Sequence, residues 1–171
     1  MLETSLRTQT DSPIRAALHT VWKRREPIAW TTLLAVVVFV QWPMLKGWYY
    51  GATGGSAPAS AIAWRTDFDG ALAEARPADK RVLAYFSASW CPPCAVMKHE
   101  VWPHQDVADA IGASYVPLMV DADHDGGLSA RYGVDAIPAV LLLDADGRVV
   151  KRHDGFLPRA GMIRFLTERP D

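Results

Sequence analysis

With 171 residues, half of them hydrophobic, the chain has room for one ordinary domain plus appendages and is more apolar than a soluble protein of this size needs. Its formal net charge is -1 and its basic residues form no stripe with interleaved aromatics, which excludes the electrostatic footprint of a nucleic-acid binder. The 2 cysteines, Cys91 and Cys94, exclude a disulfide framework, and any bridge between them closes a small local ring.

Residues 1–26 are polar and too short to bury a core; they read as a cytoplasmic tail with at most a few helical turns over 14–22. The stretch 27–45 carries no formal charge, and as a helix at about 1.5 Å per residue it covers roughly the 30 Å of a bilayer's hydrocarbon. A single transmembrane helix over 27–46 is therefore expected. Trp30 at one end and Trp42, Trp48, Tyr49 and Tyr50 at the other are the aromatic types that favour the headgroup level. Arg15, Lys23, Arg24 and Arg25 precede the segment and only Lys46 follows it closely. Basic flanks stay on the cytoplasmic side, so the N-terminus is expected inside the cytoplasmic (inner) membrane and the rest outside, in the periplasm or its equivalent. A cleaved signal peptide is the rival, with small residues at 57–61 as a cleavage site. Against it, the apolar run exceeds the usual h-region of about 7–15 residues.

Small residues dominate 51–61, which predicts a flexible linker over 47–62 and a globular domain over 63–171. In chain order the domain is expected to hold a helix near 67–75, a buried strand at 82–86, and a helix starting at the cysteines and limited by Pro103. A further helix over 107–112, a strand at 115–120 and a short helix at 128–132 come next. Strands at 139–143 and 148–152 form a hairpin through Asp144-Ala145-Asp146-Gly147, and an amphipathic helix over 158–167 closes the chain. This order implies an α/β three-layer sandwich, a mixed sheet covered by helices on both faces.

Trp90-Cys91-Pro92-Pro93-Cys94 stands between a buried strand and a helix start, a context that makes the C-x-x-C spacing far more specific than it is alone. Unpaired amides and the dipole at a helix N-terminus stabilise a thiolate, the attacking species, so Cys91 is the expected nucleophile. Cys94, one turn further in, is the resolving thiol that attacks a mixed disulfide on Cys91. Pro92 and Pro93 support the motif. The first helical turn tolerates them, but each deletes a donor to the Cys91 sulfur and leaves the Cys94 amide as the main one. No cation lies between the cysteines, and strong oxidants stabilise their reduced thiolate, so the pair leans toward a reductant. Zinc would need four ligands, and only His99 and His104 could be pressed into service; no metal is expected. Inert core cysteines are disfavoured because Trp90 and the prolines suggest an exposed turn.

Residues 63–169 resemble the thioredoxin superfamily. The run Phe86-Ser87-Ala88-Ser89-Trp90-Cys91-Pro92-Pro93-Cys94, with Val101-Trp102, Gln105-Asp106-Val107 and Tyr132-Gly133-Val134-Asp135-Ala136-Ile137-Pro138, is similar to the C-terminal periplasmic domain of DsbD-type thiol:disulfide interchange proteins. The resemblance implies a thioredoxin-like fold and protein-disulfide reductase activity carried by the Cys91–Cys94 pair without a cofactor. It also implies a cis Pro138 packed beside the dithiol, substrate contacts through Trp90, Ile137 and Pro138, and a turn at Gly155 between the last strand and the last helix. Protein disulfides outside the cytoplasm are the implied substrates, and a membrane reductase or redox partner is the implied electron donor. An oxidase or isomerase, or a tethered client-binding module without redox turnover, are the other readings. One departure stands out. Tyr85 occupies the place of the family's buried carboxylate, six positions before Cys91, and a phenol of pKa about 10 does not exchange protons at neutral pH. Proton transfer at Cys94 would then fall to water, Glu100 or His99.

Asp121-Ala122-Asp123-His124-Asp125-Gly126 imitates the start of a calcium loop, but Tyr132 stands where a bidentate glutamate belongs, so a βα loop with an N-cap aspartate is expected.

Overall fold

The computed structural model describes residues 13–53 and 57–168, so part of the expected tail, the middle of the expected linker and the last three residues lie outside the described residues. Two compact units divide the chain, Met1–Trp42 and Pro43–Asp171. Helix α1 (Pro13–Ala52) runs through the boundary. In the first unit the large apolar side chains between Ile28 and Val40 are exposed. Among the described residues no single helix is long and apolar enough to cross a membrane; Ile28–Trp42 and Met44–Ala52 meet that length and composition only when taken together. The span expected over 27–46 is therefore not met by any single helix among the described residues.

The second unit carries the remaining elements in the order α2 (Phe68–Ala75), β1 (Arg81–Ser87), α3 (Pro92–Glu100), α4 (Gln105–Ser114), β2 (Tyr115–Asp121), α5 (Gly126–Arg131), β3 (Ala139–Leu143), β4 (Val149–Asp154) and α6 (Arg159–Thr167). The strand order is β2-β1-β3-β4. β1 pairs parallel with β2 and antiparallel with β3, and β3 pairs antiparallel with β4, so the sheet is mixed as expected. The β3–β4 hairpin turns on Asp144, whose Oδ1 accepts from the amides of Asp146 and Arg148, while Gly147 takes a φ of 80° that favours glycine.

Strand alternation divides β1 between two cores. Leu83 and Tyr85 face one layer with Met97, Val101, Trp102, Ile111, Met162 and Phe165, which come from α3, α4, α6 and the loop after α3. Val82, Ala84 and Phe86 face the other, with Ala71, Leu72 and Ala75 of α2. Each side chain of that size contributes roughly 1.5–3 kcal/mol by leaving water, so both faces of the sheet are sealed. β1 is consequently the buried axis of the domain, and the loop at its C-terminal end is the one that carries the cysteines.

The linker expected over 47–62 begins later than its composition suggested. The backbone stays helical through Ala52, and Gly47 is buried against the start of α3. Any Cβ at Gly47 would run into the main chain of Pro92, so only glycine permits this approach.

Candidate functional site

Ala88-Ser89-Trp90 leads from β1 to Cys91, the N-cap of α3, and Pro92 and Pro93 fill the first helical turn, where a missing N–H costs nothing. The Cys94 N–H then donates to Cys91 Sγ at 3.2 Å, the backbone contact expected from the double proline. Cys91 and Cys94 are joined as a disulfide, with their Cα atoms 5.2 Å apart. The exposed turn suggested by sequence is corrected here: Cys91 is 2% exposed and Cys94 0%. They pack with Ala88 and Ile137, and the end of α1 lines the space over Cys91.

Ile137 reaches the dithiol across the sheet, and its peptide bond to Pro138 is cis. The Pro138 carbonyl accepts from the Gly155 N–H at 2.7 Å, and Gly155 has a φ of 99°, so the turn after β4 holds the loop that presents Ile137. Trp90 is 66% exposed beside the nucleophile, and its Nε1 donates to both carboxylate oxygens of Asp123, at 3.0 and 3.1 Å. The calcium-like run therefore serves as loop chemistry: Asp121 Oδ1 accepts from the Asp123 amide, and Asp123 anchors the tryptophan. Asp125 is the N-cap of α5 by position but makes no side-chain cap bond, so the expected capping role moves off its carboxylate. Among the described residues no group of three or more His, Cys, Asp or Glu could hold a metal ion.

Beneath the dithiol, the Tyr85 hydroxyl donates a long hydrogen bond of 3.4 Å to the Cys94 carbonyl. Its ring meets Trp102 at 4.9 Å, edge to face. Burial pushes the phenol up to about 12, against the smaller pull of Ser87 and Trp102, whose Oγ and Nε1 lie near it without reaching hydrogen-bond geometry among the described residues. Tyr85 is therefore a neutral donor at any physiological pH.

Glu100 and His99, the sequence candidates for proton transfer, are engaged elsewhere. Glu100 accepts from Lys46 Nζ at 2.7 and 3.0 Å and from the Tyr50 hydroxyl at 2.9 Å, and His99 stacks on Tyr50 at 4.2 Å. Burial works to raise the Glu100 carboxyl, but the Lys46 ammonium and the Tyr50 hydroxyl together outweigh it and hold the group below its ordinary range. Tyr50 thus tethers the end of α1 to α3. These contacts set Gly47, Trp48 and Gly51 opposite Trp90, Cys91 and Pro92 around a cavity of about 340 Å³. Little in the sequence points to this wall, because its partners lie far apart in the chain. The one hint was a glycine, Gly47, inside an otherwise bulky aromatic run.

A four-stranded mixed sheet sealed by helices, with a C-x-x-C disulfide at the N-terminus of the helix that follows the central strand, is the architecture of a thioredoxin-like disulfide oxidoreductase, and it supports thiol–disulfide exchange. The chain belongs to the thioredoxin-like domain family, whose model matches residues 68–169. It is 30% identical to a thioredoxin of Chlorobaculum thiosulfatiphilum over 90 residues, 53% of this chain and 80% of that protein. The solution structure of a thioredoxin from Thermus thermophilus is similar with a TM-score of 0.55 and 28% identity, covering 61% of this chain and 85% of the other. The reduced C-terminal domain of Neisseria meningitidis DsbD shares the fold at a TM-score of 0.50 and 22% identity, covering 57% of this chain and 90% of that one.

Proposed function

We propose that the chain is a membrane-anchored thiol:disulfide oxidoreductase that reduces protein disulfides outside the cytoplasm. The observation that carries the reading is Cys91 at the mouth of α3, its sulfur facing the Cys94 amide, with the second sulfur already in bonding reach. In the reduced state the Cys91 thiolate attacks a substrate disulfide. A Cys91–substrate disulfide forms and one substrate thiolate leaves. Cys94, deprotonated, then attacks Cys91 Sγ, the mixed disulfide breaks, and the second substrate thiol departs. Two electrons pass to the substrate, the pair ends as the disulfide, and the two product sulfurs take up protons. A membrane reductase or partner redox domain is the proposed source of electrons for the next cycle.

Reduction as the direction is supported by the two prolines between the cysteines, which bring no cation to stabilise the thiolate, and by the neutral Tyr85 beneath them. Anchoring is supported by the exposed apolar side chains of Ile28–Val40, a surface too large and continuous to be left in water. Placement of the domain outside is supported by the basic residues that precede the apolar stretch.

The test is a Cys94→Ser variant of the full chain in its native membrane. It should accumulate a mixed disulfide with client proteins, absent in Cys91→Ser, and identifying the trapped client names the substrate. Direction is read from the reduction potential of the pair. A value near the thioredoxin level of about -270 mV supports reduction, and one near about -120 mV sinks it in favour of an oxidase.

A further inference from the structure

We infer that the end of α1 is one wall of the substrate groove, and that the cavity it forms with Trp90 and Pro92 selects disulfides whose cysteine has an apolar neighbour. This rests on the redox reading above and adds the class of substrate to it.

Three independent observations meet at the cavity. Cys91 lines it and is otherwise almost wholly covered, so a chain that presents a sulfur to Cys91 lies along this space. Gly47 brings α1 into contact with the main chain of Pro92, and Glu100 fixes that approach through Lys46 and Tyr50, so the wall is built rather than incidental. Among the described residues none that lines the cavity is charged, and Trp48, 69% exposed, and Trp90 offer broad ring faces to it. Its volume of about 340 Å³ stands at the small end of ligand pockets, which run from roughly 300 to 1,000 Å³, and suits a side chain rather than a large ligand. An aliphatic or aromatic side chain next to the substrate cysteine gains by leaving water there, whereas a polar one of equal size leaves its hydrogen bonds unmatched. Trp48 is accordingly a specificity residue, and Glu100 a positioning residue that acts through Lys46 and Tyr50.

The experiment uses the pre-reduced full chain and two disulfide-bonded peptides that differ only in Leu or the near-isosteric Asn beside the attacked cysteine, followed by mass spectrometry over a single turnover. The Leu peptide should be reduced with a second-order rate constant about tenfold higher, the preference residing in the concentration that half-saturates the single-turnover rate. Trp48→Ala and Gly47→Leu, one by removing a ring face and the other by forcing the wall from Pro92, should each bring the ratio of the two peptides toward one. Trp48 is exposed, so its truncation leaves the core of the domain intact. Equal rates for the two peptides, or a ratio untouched by both substitutions, would overturn the inference while the redox reading stands. If neither peptide is reduced, the redox reading and this inference fall together.

Discussion

The phenol of Tyr85 stands 3.4 Å from the main-chain carbonyl of Cys94, which ties the core of the sheet to the helix carrying the second sulfur. The folded state holds this phenol up at about 12, whereas an unfolded tyrosine titrates near about 10. A raised pKa means that the folded form keeps its proton longer, so the contribution is fully present below pH 10 and is lost as pH rises through about 12. In Tyr85→Phe the alkaline fall in stability should be shallower by roughly 2–3 kcal/mol, and at neutral pH the variant should lose only about 0.5–1.5 kcal/mol. Urea melts from pH 7 to 12 check both; parallel alkaline losses in parent and variant would refute the assignment.

Glu100 gives the opposite sign. Its carboxyl is held low, so its contribution is present above the unfolded value of about 4.3 and disappears as pH falls through the folded one. The pair with Lys46 is about one-third exposed on both sides, at 34% and 34%, and should be worth less than about 1 kcal/mol. Hydrogen exchange of the amides at 47–52, corrected for intrinsic rates, should show protection at pH 6 that weakens at pH 3. In Glu100→Gln it should be weak at both. Protection unchanged by acid and by the substitution would remove Glu100 as the tether.

Gly155 takes a φ of 99° and holds the Pro138 carbonyl through its N–H. A Cβ there meets no neighbour, so the cost of Gly155→Ala is backbone strain alone, about 1–2 kcal/mol. Thermal unfolding reads the loss. The variant should also exchange disulfides more slowly as the loop bearing Ile137 shifts. A variant as stable as the parent would show that the turn relaxes into another conformation.

Pro93→His places a cation in the first turn of α3, beside the Cys91 sulfur. A thiolate pKa lowered by one unit is worth about 1.4 kcal/mol, or roughly 30 mV for a two-electron couple. Equilibration with glutathione should show a more oxidising pair by at least about that amount; an unchanged potential would mean that the imidazole turns away from the sulfur.

Much of the domain was legible because its signals are local. Val82–Phe86 reads as a buried strand from its unbroken apolar run, and Pro138 and Asp144 bracket Ala139–Leu143 at the bounds β3 has in the structure. The helix start at the cysteines followed from proline chemistry, and the cis bond at Pro138 from resemblance. What stayed hidden depends on partners distant in sequence. Nothing near Lys46 or Tyr50 announces Glu100, and glycine-rich composition after Tyr50 suggested a linker where the helix continues to Ala52. The burial of the cysteines is not legible locally for the same reason, since Ile137 and the end of α1 cover them from remote parts of the chain.

β1 is flanked on one edge by β2 and on the other by β3, and both of its faces are packed. A strand hemmed in on all four sides exposes its amides only when the whole domain comes apart, whereas loops and termini breathe at far lower cost. The sulfur couple hangs from the end of that strand. It therefore shuttles between its two oxidation levels on the least yielding mount the domain possesses, and the adjustment to each client is left to the surrounding loops.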